Sequence, residues 1–160
     1  DVMVYGDTPA AGCWDLLPLP VRTRFELVAA HSGDLIDTSG DWGLIHADLH
    51  LGNALFRDGQ VKLIDFDDSG YGPRLYELAV AVWELRDEPN YEDFRDALLA
   101  GYRMHREVDA RHLDDFIAVR QVAFGLWFTG MAQTNPDFAG RLDRVHRWSL
   151  AMLDEIQPAM

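Results

Sequence analysis

The sequence predicts a mainly helical α+β fold whose few strands cluster in the middle of the chain. Asp58-Gly59 separates two short runs, 53–56 and 60–64, and this dipeptide closes two-residue β-hairpins. From Leu75 onward, apolar residues recur at helical spacing. Strands and helices do not alternate along the chain, which argues against a doubly wound parallel sheet.

The 160 residues suit one domain, 1–160, with a real core. Hydrophobic content of 48% and charged content of 26% are ordinary for a soluble globular protein. The net charge of −13 leaves no basic footprint for DNA or RNA, so no nucleic-acid partner is expected. The acidity reads first as a solubility feature and second as a cleft for a cationic substrate. Cys13 is the single cysteine, so no internal disulfide forms, and a reducing, cytoplasmic setting fits. No apolar run approaches the roughly 20 residues of a membrane span, and the N-terminus lacks a basic signal-peptide region. No membrane partner is expected.

In chain order, 1–18 reads as a linker or loop rich in Gly and Pro. Residues 19–31 read as a helix, with Pro20 in its first turn and Gly33 as its stop. Residues 42–46 are extended. Residues 66–74 contain Gly70, Gly72 and Pro73 and are expected to stay irregular. Residues 75–85 are apolar nearly all round, the mark of a buried helix. A helix over 91–106 carries Phe94, Leu98, Tyr102 and His105 at helical spacing. A long helix follows from about 109 to 133, where Gly125 and Gly130 would admit a close neighbour. Asn135-Pro136 ends it, and Asp137 caps a last helix to about 156.

The chemistry concentrates in the strand region. His46-Ala47-Asp48-Leu49-His50-Leu51-Gly52-Asn53 is a polar loop on an apolar strand, and Leu63-Ile64-Asp65-Phe66-Asp67 ends the hairpin in acids. The hairpin should bring Asn53 and Asp65 together although they lie twelve positions apart. Asp48 sits just before it. A carboxylate poised to take a proton, beside oxygen ligands suited to Mg²⁺, is what phosphoryl transfer needs.

The loop follows the kinase pattern H-x-D-L-x-x-x-N position by position, and Asp65-Phe66 stands where the metal-binding Asp-Phe begins. The stretch resembles the protein-kinase-like fold, and more closely the aminoglycoside phosphotransferase and choline kinase superfamily. In that superfamily the loop commonly begins His-Gly-Asp, and a Gly-x-Pro segment precedes a helix with an acid. Gly70-Tyr71-Gly72-Pro73-Arg74-Leu75-Tyr76-Glu77-Leu78-Ala79 corresponds. The run Ile64-Asp65-Phe66-Asp67-Asp68 with Gly72-Pro73 looks most like the branch of type II homoserine kinases and stress-response Ser/Thr kinases.

The resemblance implies a set of roles. Asp48 would accept or orient the proton of the substrate hydroxyl. Asn53 and Asp65 would hold Mg²⁺ against the phosphates of ATP, and Asp67 would add a metal contact. His50 would touch the transferred phosphoryl group, and His46 would brace the loop. Ala47 stands where protein kinases carry an arginine, Asp67 replaces the glycine of Asp-Phe-Gly, and no Ala-Pro-Glu follows. These departures favour a small-molecule hydroxyl acceptor over a protein Ser/Thr. Glu77 replaces the usual Asp of its helix, which leaves its bracing role open.

The 43 residues before Leu44 hold no Gly-rich loop, strand lysine or pairing acid, and are too few for a five-stranded ATP-binding lobe. The resemblance therefore implies a C-terminal lobe alone, whose N-terminal lobe is a missing partner. Such a lobe alone would bind nucleotide weakly and be catalytically incompetent.

Asp65-x-Asp67 resembles the strand end of haloacid-dehalogenase-type phosphatases, but no lysine follows Lys62. His46, Asp48 and His50 alternate like a metal-hydrolase ligand set, which leaves Asn53 unexplained. The plainest alternative is that Asp48, Asn53 and Asp65 only cap turns. A non-catalytic, truncated kinase-like binding module is the alternative from another class. Trp83, Trp127 and Trp148 read as core before they read as a substrate cage.

Overall fold

A computed structural model describes residues 9–38 and 40–156. The first eight residues of the expected linker lie outside the described residues. The chain divides into two compact units, Thr38–Ile117 and the pair of segments Asp1–Asp37 and Ala118–Met160.

In the unit Thr38–Ile117, strand β1 (Trp42–Ile45) leads into the polar loop. The hairpin follows as β2 (Ala54–Arg57) and β3 (Gln60–Leu63), with Arg57 opposite Gln60. Asp58 and Gly59 have φ of 51° and 73°. Positive φ at both central residues is the turn that matches strand twist, and Asp-Gly is suited to it. The hairpin turns much of its apolar surface outward, with Phe56 at 70% exposure and Val61 at 54%.

Residues 66–74 depart from expectation. Gly70–Pro73 form a fourth strand, β4, antiparallel to β1, with Trp42 opposite Pro73 and Ile45 opposite Gly70. Gly72 suits this strand because a Cβ there would stand 2.7 Å from Cδ1 of Ile45. Pro73 ends the strand at a sheet edge, where a missing N–H is tolerated. The two glycines and the proline thus serve close pairing rather than irregularity.

Helix α2 (Arg74–Trp83) leaves β4 directly. Tyr76, Leu78, Ala79, Val80, Val82 and Trp83 are buried, as an all-round apolar helix requires. At its start, the Arg74 side chain lies across Gly43, and Nε comes within 3.3 Å of Asp41. Asp41 also pairs with Arg106 at 2.7 Å, and this hydrogen bond holds its carboxyl below the usual carboxylate range.

Helix α3 (Tyr91–Arg103) ends before the predicted 106, and its buried residues are Tyr91 and Leu99. Phe94, one of the residues at helical spacing, is 42% exposed. Helix α4 (Leu113–Met131) begins in this unit and continues into the other.

The other unit opens with a 3-10 helix, Pro9–Leu16, where a loop was expected. Cys13 and Leu17 are buried, and Trp14 meets Phe25 edge-on at 6.5 Å, so burial orders the segment. Helix α1 (Leu19–Thr38) runs through Gly33 instead of stopping there. A glycine inside a helix costs only about 1 kcal/mol, and a helix of this length absorbs it.

Gly125 of α4 admits a close neighbour as expected: a Cβ there would stand 2.5 Å from the Phe25 ring. Asn135 caps a short helix, α5 (Pro136–Ala139), by accepting the Asp137 amide at 3.0 Å. The final helix α6 (Leu142–Glu155) is therefore separate and starts later than a cap at Asp137 implied.

Phe124, Trp127, Phe128, Phe138 and Trp148 pack on one another at centroid distances between 4.8 and 6.3 Å. Arg141 covers Phe138 at 5.3 Å. Phe128 is buried and the other four rings are half-buried, so they pack as a partly exposed aromatic cluster.

Candidate active site

The site is built from the loop after β1, the strand end after β3 and the buried face of α2. The loop is held from below by Glu77. Its Oε1 accepts the N–H of His46 and its Oε2 that of Ala47, each at 2.9 Å. One carboxylate thereby satisfies two consecutive amides that the turn removes from any ladder. Ala47 needs this support because its φ is 65°. The bracing role left open for Glu77 is present, and its extra methylene reaches both amides.

His46 is buried and braces the loop as expected. Its Nε2 donates to the carbonyl of Ile64 at 2.8 Å, and its ring meets Phe66 at 4.6 Å. The N–H of Ile64 in turn donates to the carbonyl of Asn53 at 3.1 Å. Ile64 thus stitches the acidic strand end to both ends of the loop. Asn53 is thus bonded to Ile64, the residue just before Asp65.

Asp48, His50 and Asn53 come together as side chains. The Asn53 amide is buried, and its Nδ2 donates to the Asp48 carbonyl at 2.9 Å and to Asp48 Oδ2 at 3.2 Å. Because Nδ2 faces two acceptors, Oδ1 is the atom Asn53 can offer to a cation. His50 Nε2 lies 3.6 Å from the same Asp48 Oδ2.

Asp65 has φ 63°, the second positive-φ residue at the site that is not glycine. Such conformations cost about 1–3 kcal/mol and persist where the surroundings impose them, often at functional sites. Asp67 is exposed and sits in the turn closed by the Ser69 amide on the Phe66 carbonyl at 3.0 Å.

Among the described residues, no three His, Cys, Asp or Glu side chains converge as a metal-holding group. His46, Asp48 and His50 therefore do not form the ligand set of a metal hydrolase, since His46 is spent on Ile64. The candidate cation ligands are the amide oxygen of Asn53 with the carboxylates of Asp65 and Asp67. An all-oxygen set of this kind fits a hard divalent cation. The phosphatase reading also fails, because β3 ends in an antiparallel hairpin and not at the edge of a parallel sheet.

Sequence reasoning missed Glu84, whose Oε2 lies 3.6 Å from His50 Nδ1. Its signal was available: it follows Glu77 by seven residues, two helical turns along the same face of α2.

The loop thus carries a carboxylate bonded by an amide, clamped by a helix acid and tied to the acidic strand end. Residues 7–113 match the family model of the phosphotransferase enzyme family APH, and the chain belongs to that family. It is 34% identical to homoserine kinase of Neisseria meningitidis over 105 residues, 61% of this chain and 34% of that protein. It is 29% identical to amicoumacin kinase of Bacillus subtilis over 94 residues, 51% of this chain and 28% of that protein.

Among solved structures, a microcompartment-associated aminopropanol kinase superposes with a TM-score of 0.73 at 25% identity, over 86% of this chain and 45% of its own. Amicoumacin kinase hAmiN, in complex with AMP-PNP, Ca²⁺ and Ami, shares the fold with a TM-score of 0.70 at 21% identity, over 98% and 52%. The chain thus spans about a third or less of the curated relatives' length and about half of the structural neighbours'. No described helix is long and apolar enough to cross a membrane.

Proposed function

We propose that this chain is the C-terminal, catalytic lobe of an ATP- and Mg²⁺-dependent kinase that phosphorylates a hydroxyl group of a small molecule. The observation that carries the reading is the Asp48 carboxylate, held by Asn53 on a loop that Glu77 clamps and His46 ties to the acidic strand end. Asp48 takes the hydroxyl proton of the acceptor, or aligns that hydroxyl for attack. Phosphoryl transfer of this type depends mainly on positioning and electrostatics. Asn53 Oδ1, Asp65 and Asp67 would hold Mg²⁺, which supplies neutralisation of phosphate charge when bound.

The N-terminal ATP-binding lobe belongs to a longer protein. Support comes from the exposed apolar surface of the strand region: Leu44, Phe56, Phe66 and Tyr71 are each more than half exposed. So many exposed large apolar side chains in the strand region fit surface that a further lobe covers. The names of two relatives, homoserine kinase and aminopropanol kinase, support a small hydroxyl compound as acceptor. A cytoplasmic location, where ATP is supplied, goes with this reading.

The test uses the two-lobed protein and a panel of hydroxyl acceptors, with ADP release as readout. Asp48→Ala should lower turnover by roughly 10²- to 10⁴-fold while Mg·ATP binding stays nearly unchanged. Most of the turnover surviving this substitution would reject the assigned role. The 160-residue chain alone should transfer no phosphate at a comparable rate.

A further inference from the structure

Between Asp48 and the hairpin the backbone makes one turn of 3-10 helix, Leu51–Asn53, and His50 is its cap. The His50 Nδ1 accepts the amide of Gly52 at 3.1 Å. A neutral imidazole has one donor and one acceptor nitrogen, so commitment of Nδ1 as acceptor places the proton on Nε2. Nε2 is the nitrogen that faces Asp48, 3.6 Å from Oδ2. That same oxygen receives the Asn53 amide. Two donors therefore approach one carboxylate oxygen from neighbouring positions on the loop.

Gly52 is the seat that makes this possible. A Cβ at Gly52 would stand 2.6 Å from Cε1 of His50 and 3.0 Å from Nδ1, so any larger residue pushes the ring away. Glu84 approaches the same nitrogen, with Oε2 3.6 Å from Nδ1. It stands farther off than the Gly52 amide and outside hydrogen-bond length. The Nδ1 lone pair accepts the Gly52 N–H, and at 3.6 Å the Glu84 carboxylate draws no hydrogen bond from this nitrogen.

We propose that His50 is a positioning residue for Asp48. The Gly52 amide fixes its tautomer, the bare Cα of Gly52 fixes its place, and its Nε2–H steadies the Asp48 carboxylate in the orientation used for transfer. The 3.6 Å separation shortens to a hydrogen bond when substrate fills the site, as catalytic contacts in empty sites commonly do. This role rests on the phosphotransferase reading of the same site. It differs from direct contact with the phosphoryl group, because the donor nitrogen is directed at Asp48.

Two experiments test it. The first is ¹⁵N NMR of the histidine-labelled chain, well above the ordinary imidazole pKa of about 6.5. The His50 signals, assigned by their loss in His50→Asn, should show a protonated Nε2 and an unprotonated Nδ1. A proton on Nδ1 overturns the proposal whatever the enzyme does.

The second compares variants of the two-lobed protein. His50→Asn keeps an N-cap acceptor and a stable turn, but its side chain is too short to place a donor where His50 Nε2 stands beside Asp48. Gly52→Ala keeps both groups and displaces the ring. Each should lower kcat roughly ten- to hundredfold with KM for ATP unchanged. An active wild type with an equally active His50→Asn variant overturns the positioning role alone. A wild type that transfers no phosphate removes the phosphotransferase reading and this role with it.

Discussion

The carboxylate of Glu77 accepts the backbone N–H of Ala47 at 2.9 Å, and Ala47 sits at φ 65°, a conformation that residues with a Cβ avoid. The bend it creates turns the chain from β1 toward Asp48. The helix acid is therefore a backbone clamp, and the strained residue is the one it clamps.

Ala47→Gly should relieve that strain. The left-handed region costs an alanine roughly 1–2 kcal/mol that glycine does not incur, partly offset by the greater entropy of an unfolded glycine. The expected outcome is a small rise in the urea midpoint, equivalent to at most about 1 kcal/mol. A clear fall would mean that the bend is imposed without strain.

Glu77→Gln should act in the opposite sense. The amide keeps one acceptor oxygen and presents a donor to the other N–H. With His46 buried, losing one acceptor should cost about 1–3 kcal/mol. Hydrogen exchange at the His46 and Ala47 amides should accelerate while amides of α6 keep their protection. Unchanged exchange at both positions would remove the clamp from the account.

Asp65→Asn should weaken cation binding. Asparagine tolerates the φ of 63° found at Asp65, so the fold should survive and the lost charge can be read cleanly. In the two-lobed protein the Mg²⁺ concentration for half-maximal activity should rise at least tenfold, with the KM of the hydroxyl acceptor little affected. An unchanged Mg²⁺ requirement would move the metal away from Asp65.

His146 gives the unit of α1 and α6 an acid-sensitive element. It is buried, and burial lowers its pKa, against a smaller opposing effect of Asp143. Thr129 donates its hydroxyl proton to the Gly125 carbonyl at 2.7 Å, so its oxygen accepts from His146 Nε2 at 3.0 Å. The folded state thus holds a neutral ring. Above about pH 6.5 both states are neutral and the stabilisation is complete. Below it the unfolded chain binds a proton that the folded chain refuses, and stability falls as pH drops toward the depressed pKa. Thermal midpoints across this window should fall less steeply for His146→Phe than for the wild type. Equal slopes would show that another group governs the acid side.

Much of the site was legible because its residues are contiguous. Asp48, His50 and Asn53 lie on one loop, and Asp58-Gly59 determines what the hairpin brings back to it. The strand β4 was not legible. Gly70, Gly72 and Pro73 read as punctuation, and only the side chain of Ile45, which reaches across to Gly72, explains why a glycine belongs there. The inner face of α3 was not legible, because period alone cannot say which of two apolar stripes meets the core. Phe94 and Leu99 both fit a helix, and packing buries Leu99. Gly33 misled in a similar way, since a local stop signal was overridden by the rest of a twenty-residue helix. Glu84 was legible only through its seven-residue spacing from Glu77, and its 3.6 Å approach to His50 gives that spacing a meaning.

The hairpin 54–63 is anchored at its root, where Ile64 bonds to both His46 and Asn53, while its tip at Asp58-Gly59 stands exposed. Root and tip are thus under different demands. Changes of length at the tip leave the register at the root intact, whereas the loss of a single residue at the root would turn every side chain between them to the opposite face. This is where a lineage could lengthen the chain, or an engineer splice in a reporter, without moving Asp65 relative to Asp48.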